Sequence, residues 1–180
     1  MAKRLSRSGD ELPLSEVYLY KKDAEEGLSL LFSQAEHFER FALMSAKEIQ
    51  QLFIKRTAEL ELQATFSLMT SLEAFLQLDF HDRIEKRYKD PLSRYFRDSY
   101  KQPKRISFES DIINGWEAVY PETRRFFQKI KVVLRYRHWL AHGRYWLIDK
   151  PKISFEELYE LAEIIQNTMY SIRSDGVVTS

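Results

Sequence analysis

Between Asp23 and His81 the chain contains no proline and one glycine, Gly27. Apolar residues recur there at helical spacing: Leu28, Leu31, Phe32, Ala35, Phe38 and Ala42, then Ile49, Leu52 and Phe53, then Leu68, Met69, Leu72, Phe75 and Leu76. An unbroken helix over this stretch would run about 85 Å, too long for a compact domain. The chain must therefore fold back on itself, and Met44–Lys47 and Arg56–Glu59 are the candidate turns. Asp23, with Glu26 three residues on, reads as a capping box that opens the first helix. With only 5 Gly and 5 Pro in 180 residues, few positions remain for the turns of a many-stranded sheet. The expectation is an all-α chain.

The remaining elements follow from their punctuation. Pro91 and Pro103 bracket a short amphipathic piece carrying Leu92, Tyr95, Phe96 and Tyr100. A second short helix is predicted from Asp111, its cap, to Tyr120. Pro121 suits the first turn of the next helix, which runs to His142 and stops at Gly143. Arg144 to Ile153 reads as loop. Ser154 with Glu157 makes another capping box, opening a last helix with Phe155, Leu158, Leu161, Ala162, Ile165 and Met169 on one face. The prediction is a single helical domain over 16–173, a bundle of four main helices plus short ones. A flexible N-terminal arm (1–15) and a flexible tail (174–180) flank it.

Composition removes several function classes. There is no cysteine, which excludes disulfides and thiolate zinc sites and is compatible with a cytoplasmic location. No run of about 18 apolar residues exists to span a membrane, and the polar, basic N-terminus lacks the apolar core of a signal peptide. The net charge of +1 neither demands nor forbids a nucleic-acid partner. Its distribution is more telling. Arg83, Lys86, Arg87, Lys89, Arg94, Arg97, Lys101, Lys104 and Arg105 crowd one segment, opposed only by Asp82, Glu85, Asp90 and Asp98. Arg83, Lys86, Arg87, Arg94 and Arg97 are the candidates to track an RNA backbone, with Tyr88, Tyr95 or Tyr100 stacking on bases. The plainer reading is a solvated face.

The segment Leu134 to Gly143 contradicts its own pattern. Phe127, Ile130 and Leu134 define an apolar stripe, and extending it puts Arg137, His138 and Ala141 close to its axis. Burying an arginine and an imidazole unpaired costs several kcal/mol, so partners are implied. Arg135, His138 and His142 share a helix face, whereas Arg137 and His142 point about 140° apart. One straight helix does not close both on a single phosphate, but two copies across a dimer do. Histidine exchanges protons near neutral pH, and arginine grips phosphate through a planar fork. Together they suit cleavage of an RNA phosphodiester without a metal. The rival readings are a surface arginine with a capping histidine, or a metal held by His138 and His142 at their four-residue spacing with a third ligand from elsewhere.

Arg137-His138-Trp139-Leu140-Ala141-His142 resembles the Arg-polar-x3-His signature of HEPN domains, placed near the end of a late helix as in that family. Ser71-Leu72-Glu73-Ala74-Phe75-Leu76 is similar to an earlier helix of many members, and the resemblance spans roughly 24–172. It implies a dimerising helical bundle and, in many members, a metal-independent and cofactor-free endoribonuclease used as a toxin or antiphage effector. An antitoxin partner is then expected. Carried over by position, Arg137 and His142 are the essential pair and His138 the supporting polar residue. Arg135 also fits the looser spacing, so either arginine can be the acting one. Glu73 is a candidate to orient a motif residue across the bundle. Other members are non-catalytic nucleotide-binding or interaction modules, some partnering a nucleotidyltransferase, and fold alone does not separate the two.

Overall fold

The computed structural model describes residues 8–100, 106–148 and 153–177. Among them there are six α-helices and no strand: α1 (Leu14–Ser33), α2 (Ala46–Glu85), α3 (Pro91–Ser99), α4 (Asn114–Val119), α5 (Arg124–Ala141) and α6 (Phe155–Val177). The four long helices are α1, α2, α5 and α6, as the periodicity predicts.

The long proline-free stretch does fold back, through Gln34–Ser45. Two single 3-10 turns, Ala35–His37 and Glu39–Phe41, reverse the chain about the extended Phe38. Phe41 is buried there against Phe32 at 5.3 Å between ring centroids, and Phe32 in turn meets Phe53 on α2 at 5.2 Å. The signal that starts α2 is Ser45, whose hydroxyl accepts the Glu48 amide while the Glu48 carboxylate takes the Ser45 N–H at 2.7 Å. Of the two candidate turns, Met44–Lys47 spans this start. Arg56–Glu59 lies inside unbroken helix.

The predicted start at Asp23 is corrected. α1 opens nine residues earlier, just after Pro13, because Leu14 and Val17 are buried in the core and Tyr18 packs on Tyr159. The arm ends sooner than predicted for the same reason: the Leu12 carbonyl accepts the Ser71 hydroxyl. Residues 1–7 of that arm lie outside the described residues. At the other end α6 continues to Val177, past the predicted boundary at Ser174. The helix expected from Asp111 begins instead as a π-helical turn, Phe108–Ile113. Ser107 caps it, and Asp111 reaches back to the Ser107 N–H at 2.8 Å.

The second half of α2 is the axis of the core. Leu68, Met69, Leu72, Leu76 and Phe80 are buried against Phe127 and Ile130 of α5 and Phe155, Leu158, Ala162 and Ile165 of α6. The capping box of α6 forms as predicted, with Ser154 and Glu157 exchanging side-chain bonds to each other's amides. Its predicted apolar face is the buried one. Between α2 and α3 the core holds a charge network. Arg83, fully buried, donates to Asp79 at 2.6 Å and to Asp90 at 2.8 Å, and Arg173 of α6 closes on Asp79 at 2.7 Å. Burial pushes the Asp79 carboxyl upward, against the pull of the two arginines.

Replacing Arg83 by methionine keeps the volume but leaves Asp79 and Asp90 without it in a dry site. The expected loss is about 3–5 kcal/mol of unfolding free energy. Urea denaturation followed by circular dichroism reads it, and a variant as stable as the parent contradicts the network's role.

Candidate functional site at the end of α5

The 18 residues of α5 follow the 3-10 turn Pro121–Thr123 and lie across α2 and α6. In the first half the buried side chains are Phe127, Ile130 and Val133, with Leu134 half-buried beside them. Continuing that face places Arg137 against α2, where its guanidinium meets the Glu73 carboxylate. The pair is largely covered, with the two side chains 26% and 18% exposed. Glu73 is therefore the partner that an inward arginine requires, and Gln77 braces its other oxygen at 3.2 Å.

His138 and Ala141 do not follow Arg137 inward. Both are exposed, a correction to the extended stripe. In the second half of α5 the buried positions shift to Tyr136 and Trp139, whose rings stack at 5.4 Å and 16°. The Trp139 indole N–H donates to the Trp146 carbonyl at 2.7 Å, which ties the descending chain to this shifted face. His138 consequently turns outward beside His142. Their ring centroids lie 4.2 Å apart, and Trp146 packs at a tilt against both, at 5.8 Å and 6.4 Å. Arg135 is exposed on the same outward side.

The cap that holds His142 is built from backbone and one ion pair. The Gly143 N–H returns to the Leu140 carbonyl at 3.3 Å and the Arg144 N–H to the Trp139 carbonyl at 3.1 Å, the paired bonds of a Schellman motif. Gly143 takes φ +80°, which a glycine adopts freely. Arg144 also takes a positive φ, 53° being that of Arg87 and 61° its own. That conformation is costly for a side chain with a Cβ. Two bonds from Arg144 to Glu59 on α2, at 2.8 Å and 2.5 Å, hold it there. The guanidinium, aided by Gln63, draws the Glu59 carboxyl down to about 2. Neither Glu59 nor Arg144 stands out in the sequence, because 85 residues separate them.

Arg137, His138, His142, Arg135 and Glu73 thus converge on one end of α5, but in two groups. Arg137 turns in to meet Glu73 of α2, while His138, His142 and Arg135 face outward. The basic segment after α2 fares differently. Arg83 is buried and committed to carboxylates, so it does not reach a phosphate. Arg97 donates to the carbonyls of Arg83 and Tyr88, at 3.3 Å and 2.9 Å, and Lys86 pairs with Asp82 at 3.1 Å. Arg87 and Arg94 are exposed. Of the tyrosines, Tyr100 packs edge-on against Phe80 and Tyr88 lies under Arg173, which leaves Tyr95 the more exposed. Lys101, Lys104 and Arg105 lie outside the described residues.

Among the described residues no three His, Asp or Glu side chains gather as a metal site. No helix among them is long and apolar enough to cross a membrane. Comparison with family models, with curated proteins and with solved structures returned no match.

The Glu59–Arg144 clamp makes a pH prediction. Because the Glu59 carboxyl is lower in the folded chain than its ordinary 4.5, the clamp contributes fully above pH 4.5 and is lost as pH falls through about 2. Hydrogen-exchange protection of the Gly143 and Arg144 amides should fall across that window, and Glu59→Gln should show the low protection already at neutral pH. Protection unchanged in Glu59→Gln would mean that the Schellman bonds hold without the clamp.

Proposed function

We propose that the chain is a HEPN-like, metal-independent endoribonuclease that acts as a homodimer in the cytoplasm, in a toxin or antiphage role. The observation that carries this reading is the pair of exposed imidazoles of His138 and His142 in contact at 4.2 Å, inside an Arg-His-x3-His run and flanked by two arginines. Adjacent imidazoles can share acid and base work within one site. One takes the proton of a ribose 2′-hydroxyl as its oxygen attacks phosphorus. The other protonates the 5′-oxygen as the phosphorus–oxygen bond breaks. The products are a 2′,3′-cyclic phosphate and a 5′-hydroxyl, and a guanidinium stabilises the charge on the phosphoryl oxygens in between.

The division of the motif argues for a second copy. Arg137 points toward Glu73 and His142 points outward, so one protomer does not direct both at one phosphate. A twofold mate laid across the end of α5 brings a second set of these groups to the cleft. The engagement of Arg137 by Glu73 also fits the rival, a non-catalytic HEPN-like module that binds a nucleotide or a nucleotidyltransferase.

Purified protein incubated with total RNA in excess EDTA should release fragments ending in 2′,3′-cyclic phosphate. His142→Ala should lower the rate about 10²–10⁴-fold, the usual worth of a positioned acid or base. Arg137→Ala should also be impaired, and both variants should remain dimeric by light scattering. Full cleavage by His142→Ala rejects the assignment, and activity lost in EDTA but restored by zinc favours the metal reading. A stable dimer that binds nucleotide and leaves RNA intact identifies the non-catalytic module.

A further inference from the structure

The basic residues expected to meet RNA lie at and after the end of α2, yet the structure commits three of them, Arg83, Lys86 and Arg97, to the fold. A better-placed set lies on α5 itself. Arg124, Gln128, Lys131, Arg135, His138 and His142 recur at three- and four-residue steps, and all fall within about 80° of one another around the helix axis. Lys131 is neutralised by Glu117 at 3.1 Å, and Gln128 donates to the same carboxylate at 3.1 Å. Arg124 and Arg135 are exposed and make no ion pair among the described residues. They stand about 17 Å apart along the helix, and Arg135 is about 10 Å short of His142. Of the acids near this face, Glu117 is already paired and Glu122 sits on the turn that precedes Arg124.

Beyond His142 the character of the surface changes from cationic to aromatic. Tyr145 is 83% exposed, and its ring meets Trp146 edge-on at 4.6 Å, while Trp146 packs on both imidazoles. Packing does not account for so exposed a ring. Cations in line, a pair of imidazoles and then an open aromatic face match a flexible polyanion that carries its own flat rings. Backbone charge with base stacking is the way single strands are held without sequence readout.

We infer that the outward face of α5 is a track for single-stranded RNA, in which Arg124 and Arg135 hold two backbone phosphates a few nucleotides apart and Tyr145 stacks a base beyond the His138–His142 pair. This deepens the ribonuclease reading and rests on it for the identity of the polyanion. A duplex would not offer Tyr145 an unstacked base, so the strand is single.

The test uses the wild-type chain and a short fluorescent 2′-O-methyl RNA, which has no free 2′-hydroxyl to attack. Anisotropy titrations run between about 50 and 200 mM salt. Arg124→Ala/Arg135→Ala should weaken binding by at least about tenfold at the lowest salt. It should also flatten the log–log salt slope by about 1.4, since each single-strand phosphate contact contributes about 0.7. Tyr145→Ala should weaken binding about fivefold or more with its slope unchanged. Lys89→Ala/Arg94→Ala, which removes two exposed cations off the track, should bind like the parent. The inference is overturned if the α5 double variant keeps parental affinity and slope, if the Lys89/Arg94 variant loses as much, or if the parent fails to bind at low salt. Predicted slopes together with an uncut 2′-hydroxyl RNA would end the catalytic reading and leave the track standing. Cleavage of that RNA untouched by the α5 double variant would do the reverse.

Discussion

The Arg137–Glu73 pair decides how α5 lies on α2, and the geometry of the candidate site depends on it. A half-buried guanidinium is tolerated only with a carboxylate opposite, and Glu73 supplies it from α2. Once Arg137 is seated, the residues one and five positions later are carried around the helix toward solvent. With Tyr136 and Trp139 buried on the other side, His138 and His142 are left facing outward. The net worth of such a partly exposed pair is small, so its effect is on register more than on stability.

The same logic repeats along α2, which spans about 60 Å and touches most of the other elements. Glu59 holds Arg144 at the end of α5. Glu61 accepts the Phe155 amide at 2.8 Å, which caps α6, and lies 3.3 Å from Lys21 of α1. Lys21 is itself buried, with Glu25 at 2.5 Å and Glu156 at 3.0 Å. These carboxylates raise its ammonium pKa although burial opposes them. Asp79 and Arg83 then join α6 and α3 at the far end. Apolar packing along a helix is permissive about sliding, whereas each of these pairs tolerates one register. Charged residues spaced along a single long helix thus act as the index marks of the bundle.

Much of this fold is legible in the sequence where the cause is local. The Ser154–Glu157 box, Pro121 before α5, Gly143 after it and the buried face of α6 are readable because each depends on residues within a turn or two. Asp23–Glu26 shows the limit of the same rule: a capping pattern inside a longer amphipathic run is overridden when Leu14 and Val17 upstream find a core. Ser45–Glu48, which does form a box, lies inside the long proline-free stretch, where the short apolar run Ile49, Leu52 and Phe53 does not by itself mark a helix start. The candidate site is half legible. The motif and its partner Glu73 are visible as residue types, but the outward turn of His138 follows from Tyr136 and Trp139 replacing the earlier stripe as the buried face. Arg83 reads as one of a run of cations, and nothing near it in sequence reveals that Asp79, Asp90 and Arg173 enclose it.

A net charge of +1 conceals how the cations are divided between two tasks. Three of those at and just after the end of α2 are spent on the fold: Arg83 on two aspartates, Arg97 on backbone carbonyls, Lys86 on Asp82. Those along the outer face of α5 are left facing solvent, apart from Lys131. An arginine already bonded in a dry site has little affinity left for phosphate, since exchanging partners returns nothing for the desolvation already incurred. An exposed arginine on a rigid helix keeps its full donor set and loses little entropy on binding. The motif contains one of each kind two residues apart, with Arg137 bound to Glu73 and Arg135 open. On the proposed reading, the inward arginine aligns the helix and waits for a second copy, while the outward one meets the incoming strand.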